Sequence, residues 1–203
     1  MKTVLCYGDS NTWGYHAKED NRFDWHTRYP GVLSRLLGEE YHVIEDGLCG
    51  RTTQYESDIE LYVNGKKAAE LAAEVHAPLD YAVLMLGTND CKDMYNASPE
   101  DIRKGIEGIA ACFEQKGAKI LLIAPVPMRG LEKSPFYHEF GICAEEKSLL
   151  LAGIYAQLAH EKDWLYLDAD EIIVTGEFDH IHLEAEAHGK LAEAVFRMIA
   201  QEK

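Results

Sequence analysis

Ser10 and His182 stand near opposite ends of a 203-residue chain, and each sits among residue types that nucleophilic chemistry uses. Ser10 lies in Gly8-Asp9-Ser10-Asn11, directly after the apolar run Val4-Leu5-Cys6-Tyr7. A short apolar run that breaks at a glycine reads as a buried strand ending in a tight turn. Such a turn holds the serine at the carboxyl end of the strand, the edge where open α/β sheets bind ligands. A serine hydroxyl is a poor nucleophile until a base takes its proton. His182, in Asp179-His180-Ile181-His182, is a candidate base, and Asp179 a candidate carboxylate to orient and polarise its ring.

Two further segments could serve the same chemistry. Gly87-Thr88-Asn89-Asp90 follows the apolar run at residues 80–86. The side-chain amide of Asn89 is a neutral donor suited to a developing negative oxygen. Gly47-Leu48-Cys49-Gly50-Arg51-Thr52-Thr53 follows the strand candidate at 41–45, and its glycines could expose a backbone N–H toward the same place.

Each segment also has a plainer reading. Ser10 could merely N-cap a helix. Asn89 could form an Asx turn, and residues 47–53 could be only a loop. Asp179, His180, His182 and His188 could be a solvated helix start. They could also be a local metal cluster, although zinc sites usually need three or four converging ligands.

The elements that must position these residues alternate along the chain. Strand candidates are residues 3–7, 41–45, 80–86, 119–124 and 164–167. The third and fourth are continuous apolar runs, the pattern of parallel strands buried on both faces. Helix candidates are residues 28–38, 66–76, 99–116, 142–162 and 183–201. Ser98-Pro99-Glu100-Asp101 supplies an N-cap, a proline at the first helical position and acids in the first turn. Gly117 is expected as the C′ glycine that ends the same helix. Leu183, Ala187, Leu191, Ala194, Val195, Met198 and Ile199 form an apolar stripe at helical spacing. Five βα units predict an α/β fold in three layers, α/β/α. Its sheet would be five-stranded, parallel, doubly wound and flavodoxin-like, with strand order 2-1-3-4-5. In that order the first and third strands are neighbours, which sets Asn89 across from Ser10. Residues 11–27 and 125–141 follow strand ends and should overhang the site. They carry Trp13, Tyr15, Phe23, Trp25, Phe136, Tyr137 and Phe140. Rings near a pocket mouth would favour small acyl groups; packing within the loops or at a subunit interface is the alternative. Lys92 and Ile181 flank the chemical segments and are expected pocket neighbours, with Trp13 and Tyr15.

Composition narrows the partners. A chain of this length suits one domain, over 1–203, with a sizeable core. The formal net charge is −15, which argues against nucleic acid and anionic membranes. No apolar stretch reaches the ~18 residues of a membrane helix. Met1-Lys2-Thr3 runs straight into the first strand without a signal peptide, so a cytoplasmic location is expected. The five cysteines, at 6, 49, 91, 112 and 143, are odd in number and contain no Cys-x-x-Cys pair. Reduced thiols fit better than disulfides or a zinc ribbon.

The ordered set of four segments resembles the SGNH (GDSL-type) hydrolases over essentially the whole chain. The family's four letters match Ser10, Gly50, Asn89 and His182. The stretches at 8–14, 47–53 and 85–90 are most similar to the small cytoplasmic arylesterase and acyltransferase branch. That resemblance implies an esterase of short-chain, acetyl-type esters that works without a cofactor or metal, some relatives also transferring the acyl group to alcohols. It implies Ser10 as nucleophile, His182 as general base and then acid, and Asp179 as the orienting carboxylate. It assigns the oxyanion hole to the N–H of Ser10, the N–H of Gly50 and the side chain of Asn89. It also implies a homo-oligomer built from dimers, octamers being known. Transfer-competent relatives can carry alanine in place of Gly50 and tryptophan in place of Tyr15, which weakens the expectation of acyl transfer. His180 stands where some relatives have glycine. Deacetylation of sugars or glycans uses the same machinery and is an alternative substrate class. A flavodoxin-like binding module is the alternative from another class, although the first βα turn lacks both Gly-x-Gly-x-x-Gly and a Walker lysine.

Overall fold

The computed structural model describes residues 1–201. The chain runs β1 (Lys2–Gly8), α1 (Ser10–Trp13), β2 (Tyr15–His16), β3 (Asn21–Arg22), α2 (Tyr29–Leu37), β4 (Tyr41–Gly47), α3 (Gly65–His76) and β5 (Tyr81–Met85). It continues through α4 (Pro99–Glu114), β6 (Lys119–Ala124), α5 (Tyr137–Phe140), α6 (Ala144–Lys162), β7 (Leu165–Asp168) and α7 (Ala185–Gln201). Short 3₁₀ turns join several of these. Five strands form one parallel sheet in the order β4-β1-β5-β6-β7, which is 2-1-3-4-5 among the main strands, as expected. The small pair β2–β3 is an antiparallel hairpin inside residues 11–27.

The continuous apolar strands follow from having a core on each face. Leu5, Tyr7, Ala82, Leu84, Ile120 and Leu122 point to one side, where α3, α4 and α6 bring Ala69, Ile102, Ile106, Phe113 and Leu151. The residues between them, Val4, Cys6, Val83, Met85, Leu121 and Ile123, point to the other. There α2 and α7 bring Leu33, Leu191, Val195 and Ile199. Each fully buried aliphatic side chain contributes roughly 1.5–3 kcal/mol of transfer free energy. Truncating one at the centre, Leu84→Ala for example, costs about 2–5 kcal/mol. The sheet is therefore a stiff platform for the loops at its carboxyl edge.

Element ends depart from the sequence reading for local reasons. Ser98 caps α4 in a reciprocal capping box with Asp101. That helix stops at Glu114 rather than 116; Gly117 then turns with φ +87°, and the Ala118 N–H returns to the Phe113 carbonyl. The helix expected over 142–162 begins at Ala144, because Gly141 at φ +84° separates it from the four-residue α5. The last helix begins at Ala185 rather than 183, since the Leu183 N–H is given to the Asn11 side chain instead. Among the described residues no helix is long and apolar enough to cross a membrane.

Candidate functional site

Three neighbouring strands, β4, β1 and β5, end side by side at Gly47, Gly8 and Met85. The loops that leave them carry Gly50, Ser10 and Asn89. Gly8 lets the first loop turn at once: a Cβ there would lie 2.0 Å from Thr12 Oγ1 and 2.8 Å from the Met85 carbonyl oxygen. Asp9 then caps α1 by accepting the Asn11 N–H, which leaves Ser10 as the first residue of that short helix. The histidine arrives from farther away. β7 is the far edge strand, so the chain after Asp168 must pass back across the sheet edge to reach Ser10. That segment is folded on itself through Gly176 N–H to the His182 carbonyl and His180 N–H to the Gly176 carbonyl.

The two ends of the chain meet at hydrogen-bond distance. His182 Nε2 lies 2.8 Å from Ser10 Oγ, and His182 Nδ1 lies 2.5 Å from Asp179 Oδ2. The other Asp179 oxygen accepts the N–H groups of Ile181 and His182, both at 3.0 Å. Burial disfavours the Asp179 charge, but the His182 ring and these N–H donors outweigh it and hold its pKa below the ordinary carboxylate value. The carboxylate is thus kept ionised and fixed, which sets the ring orientation. Tyr15 meets the same ring edge-on with 4.7 Å between centroids, and Phe136 does so at 6.1 Å.

Groups with hydrogen-bond donors line the same cavity as the serine. Gly50 adopts φ +79°, a conformation that suits glycine, and its N–H has no partner among the described residues. The Asn89 amide gives one N–H to the Arg51 carbonyl at 3.2 Å, which orients the side chain and leaves its second N–H. The Ser10 N–H belongs to the first turn of a helix, where N–H groups lack intrahelical partners. Three residues with N–H groups not used elsewhere thus border one cavity, the kind of donor set that can hold a developing negative oxygen.

These groups line a cavity of about 130 Å³, walled also by Tyr15, Cys49, Glu60, Lys92, Phe136 and Glu139. Phe140 and Ile181 complete it. A larger groove of about 720 Å³ runs along α3 but shares only Glu60 with this site and none of the reactive groups. The Ser10 hydroxyl, the His182 imidazole and the Asn89 amide all belong to the smaller one. Of the expected pocket neighbours, Tyr15, Lys92 and Ile181 line the cavity and Trp13 does not. The Trp13 ring lies beneath the Arg22 guanidinium at 4.8 Å, and Trp25 packs against Arg28 at 5.3 Å. Phe23 stacks on His16, meets His188 edge-on and does not line the cavity. Both expected overhanging loops contribute walls, and so does a third stretch that carries Cys49, Gly50 and Glu60. His188 lies apart from the cavity, buried with its Nδ1 accepting the Tyr29 N–H at 3.4 Å. Among the described residues no three His, Cys, Asp or Glu side chains converge as a metal site would need. His180 takes φ +61°, a left-handed conformation that glycine adopts more readily, and its ring lies against Gly130.

Three supports were not singled out from the sequence. The Asn11 side chain accepts the Leu183 N–H at 2.9 Å and donates to the Ile181 carbonyl at 3.3 Å, holding the strand of chain on both sides of His182. The buried Arg51 guanidinium joins the ends of β1 and β4 through the Gly8 carbonyl, the Asp46 carbonyl and the Asp46 carboxylate, and lies over the Tyr7 ring at 4.1 Å. Asp90 accepts the Thr53 N–H and hydroxyl, tying the Asn89 loop to the Gly50 loop. Burial pushes both Asp9 and Asp90 up to about 6, the donors named here pulling the other way.

The GDSL-like lipase/acylhydrolase family model matches residues 6–190. No curated protein matches the chain. Among solved structures, a carbohydrate acetylesterase from Sinorhizobium meliloti is similar at 32% identity with a TM-score of 0.94, covering 100% of both chains. An aryl esterase from M. smegmatis is similar at 30% identity and TM-score 0.94, covering 99% of each. A carbohydrate acetylesterase family member from Sinorhizobium meliloti reaches 35% identity and TM-score 0.93, over 99% of this chain and 98% of its own.

Proposed function

This chain belongs to the GDSL-like lipase/acylhydrolase family and is a carboxylic ester hydrolase. From that premise we propose that it cleaves short-chain, acetyl-type esters through an acyl-enzyme on Ser10. The observation that carries the reading is the continuous line from Asp179 Oδ2 through the His182 ring to Ser10 Oγ, with contacts of 2.5 and 2.8 Å.

In the first half of the reaction His182 Nε2 takes the Ser10 proton as the hydroxyl attacks the ester carbonyl. Asp179 stabilises the imidazolium that forms and stays ionised itself. The N–H groups of Ser10 and Gly50 and the Asn89 amide hold the tetrahedral oxyanion. The carbon–oxygen bond to the alcohol then breaks, and the alcohol leaves with the proton from His182. In the second half water repeats the attack on the acyl-enzyme and restores the serine. An alcohol in place of water gives acyl transfer by the same path.

The acyl preference rests on space. A cavity of about 130 Å³ is well below the ~300–1,000 Å³ that accommodates larger ligands, and Tyr15, Phe136 and Phe140 close its walls. A series of p-nitrophenyl esters tests this: kcat/KM should be highest for acetate and fall at least about tenfold by octanoate, and Ser10→Ala should lose nearly all turnover. Equal rates along the series would remove the chain-length claim. Near-normal turnover by Ser10→Ala would remove the serine. Assembly as dimer-based homo-oligomers in the cytoplasm belongs to the same reading, and the exposed Leu61, Tyr62, Leu71 and Val75 are apolar side chains that such an assembly would cover.

A further inference from the structure

Lys92 stands out among the cavity walls. Its side chain is only 6% exposed, yet among the described residues its ammonium makes no hydrogen bond. The nearest carboxylates are Glu60 at 3.5 Å and Glu139 at 3.8 Å, and both residues also line the cavity. These separations exceed the 2.7–3.2 Å of a hydrogen bond. The Phe140 ring lies 5.4 Å from Nζ and closes another side. The two carboxylates balance the ammonium as ion-pair partners but stand too far off to take its three donors in close hydrogen bonds, so the group has donors to spare for a molecule that enters the cavity.

The chemistry of that partner is constrained. Two carboxylates accompany one cation, so the local charge is negative and a second anion would be repelled. A neutral hydroxyl satisfies every group at once. Its oxygen accepts from the ammonium, and its hydrogen is given to a carboxylate across the gap. We propose that Lys92, Glu60 and Glu139 form a hydroxyl-binding subsite of the catalytic cavity, and that the preferred substrate is an ester whose alcohol carries a free hydroxyl beside the ester oxygen. Ser10 and Lys92 line the same small cavity, so the hydroxyl and the scissile carbonyl must lie close together on one molecule. This rests on the esterase reading above and assigns the alcohol side of its substrate.

The test compares glycerol monoacetate with propyl acetate, which differ in two hydroxyl groups. Wild-type kcat/KM should favour glycerol monoacetate by about tenfold, the value of one or two net hydrogen bonds. Lys92→Met should cut that ratio at least about fivefold. Glu139→Gln changes a mostly exposed side chain, will fold, and should lower the ratio by a smaller factor, since the amide still accepts but no longer carries charge. A wild-type ratio near one, or a ratio that neither substitution moves, overturns the subsite. Failure of the wild type to hydrolyse p-nitrophenyl acetate strikes the esterase reading instead, so the two failures are distinguishable.

Discussion

Asn11 accepts the Leu183 N–H at 2.9 Å across 172 residues of sequence, and the same side chain donates to the Ile181 carbonyl. The residue after the proposed nucleophile therefore grips the chain immediately before and immediately after the proposed base. This clasp adds to the sheet in holding the 2.8 Å contact between Ser10 and His182.

Asn11→Leu keeps the volume and removes both bonds. It orphans a buried carbonyl and a buried N–H, worth about 1–3 kcal/mol each in stability at most. Loss of register of about 1 Å between nucleophile and base can cost on the order of 100-fold. We expect kcat to fall about 10- to 100-fold with KM within about twofold of wild type, and phosphorylation of Ser10 by diethyl p-nitrophenyl phosphate to slow in step. A variant that loses thermal stability but keeps kcat would show that the clasp supports the fold and not the reaction.

Asn89→Ala removes one of the three proposed oxyanion donors. Comparable deletions cost about 100- to 1,000-fold in kcat. The Arg51 carbonyl also loses its partner, so a modest loss of stability accompanies the kinetic effect. Steady-state kinetics on p-nitrophenyl acetate should show the loss in kcat, with little change in KM. A loss confined to KM contradicts the oxyanion role.

Acid should weaken the fold at His188. Burial pushes this imidazole down from 6.5 to about 4, its proximity to His182 and Arg28 acting in the same direction. The unfolded chain therefore binds a proton there that the folded chain refuses. Its contribution is intact above pH 6.5 and is lost as pH falls toward 4, by about 2 kcal/mol between pH 7 and pH 5. Burial of Asp9 and Asp90 raises both to about 6, which favours the folded state over the same interval and masks the effect in the wild type. The comparison that isolates it is urea unfolding of wild type and His188→Asn at pH 7 and pH 5. The wild type should lose more stability, or gain less, than the variant on acidification. Identical pH dependence in the two proteins would show that His188 is not held neutral.

Much of this arrangement could be read from the chain because the signals were local. Val4-Leu5-Cys6-Tyr7 and Leu121-Leu122-Ile123 are apolar without alternation since successive residues feed opposite cores, and that pattern declares a parallel sheet. Ser10 and Asn89 follow such runs closely and Gly50 follows the neighbouring edge strand β4, so strand order brings their loops together. The Asn11 and Arg51 contacts left no comparable trace. A hydrogen bond between residues 11 and 183, or between a guanidinium and the ends of two strands, has no spacing that sequence displays. Trp13 was expected at the pocket because aromatics in a loop look alike; the Arg22 guanidinium, held by Glu45, decides its direction instead. Lys92 was placed near the site by its position after Asn89, but its lack of a hydrogen-bond partner became visible only with Glu60 and Glu139 in place.

The central claim is that Ser10 carries the acyl group under activation by His182. Diethyl p-nitrophenyl phosphate reacts with an activated serine and leaves a stable adduct that peptide mass spectrometry can locate. The account predicts one adduct, on Ser10, formed stoichiometrically in the wild type and slowed by several orders of magnitude in His182→Ala. Modification at another residue, or labelling of Ser10 at an unchanged rate without His182, would contradict it.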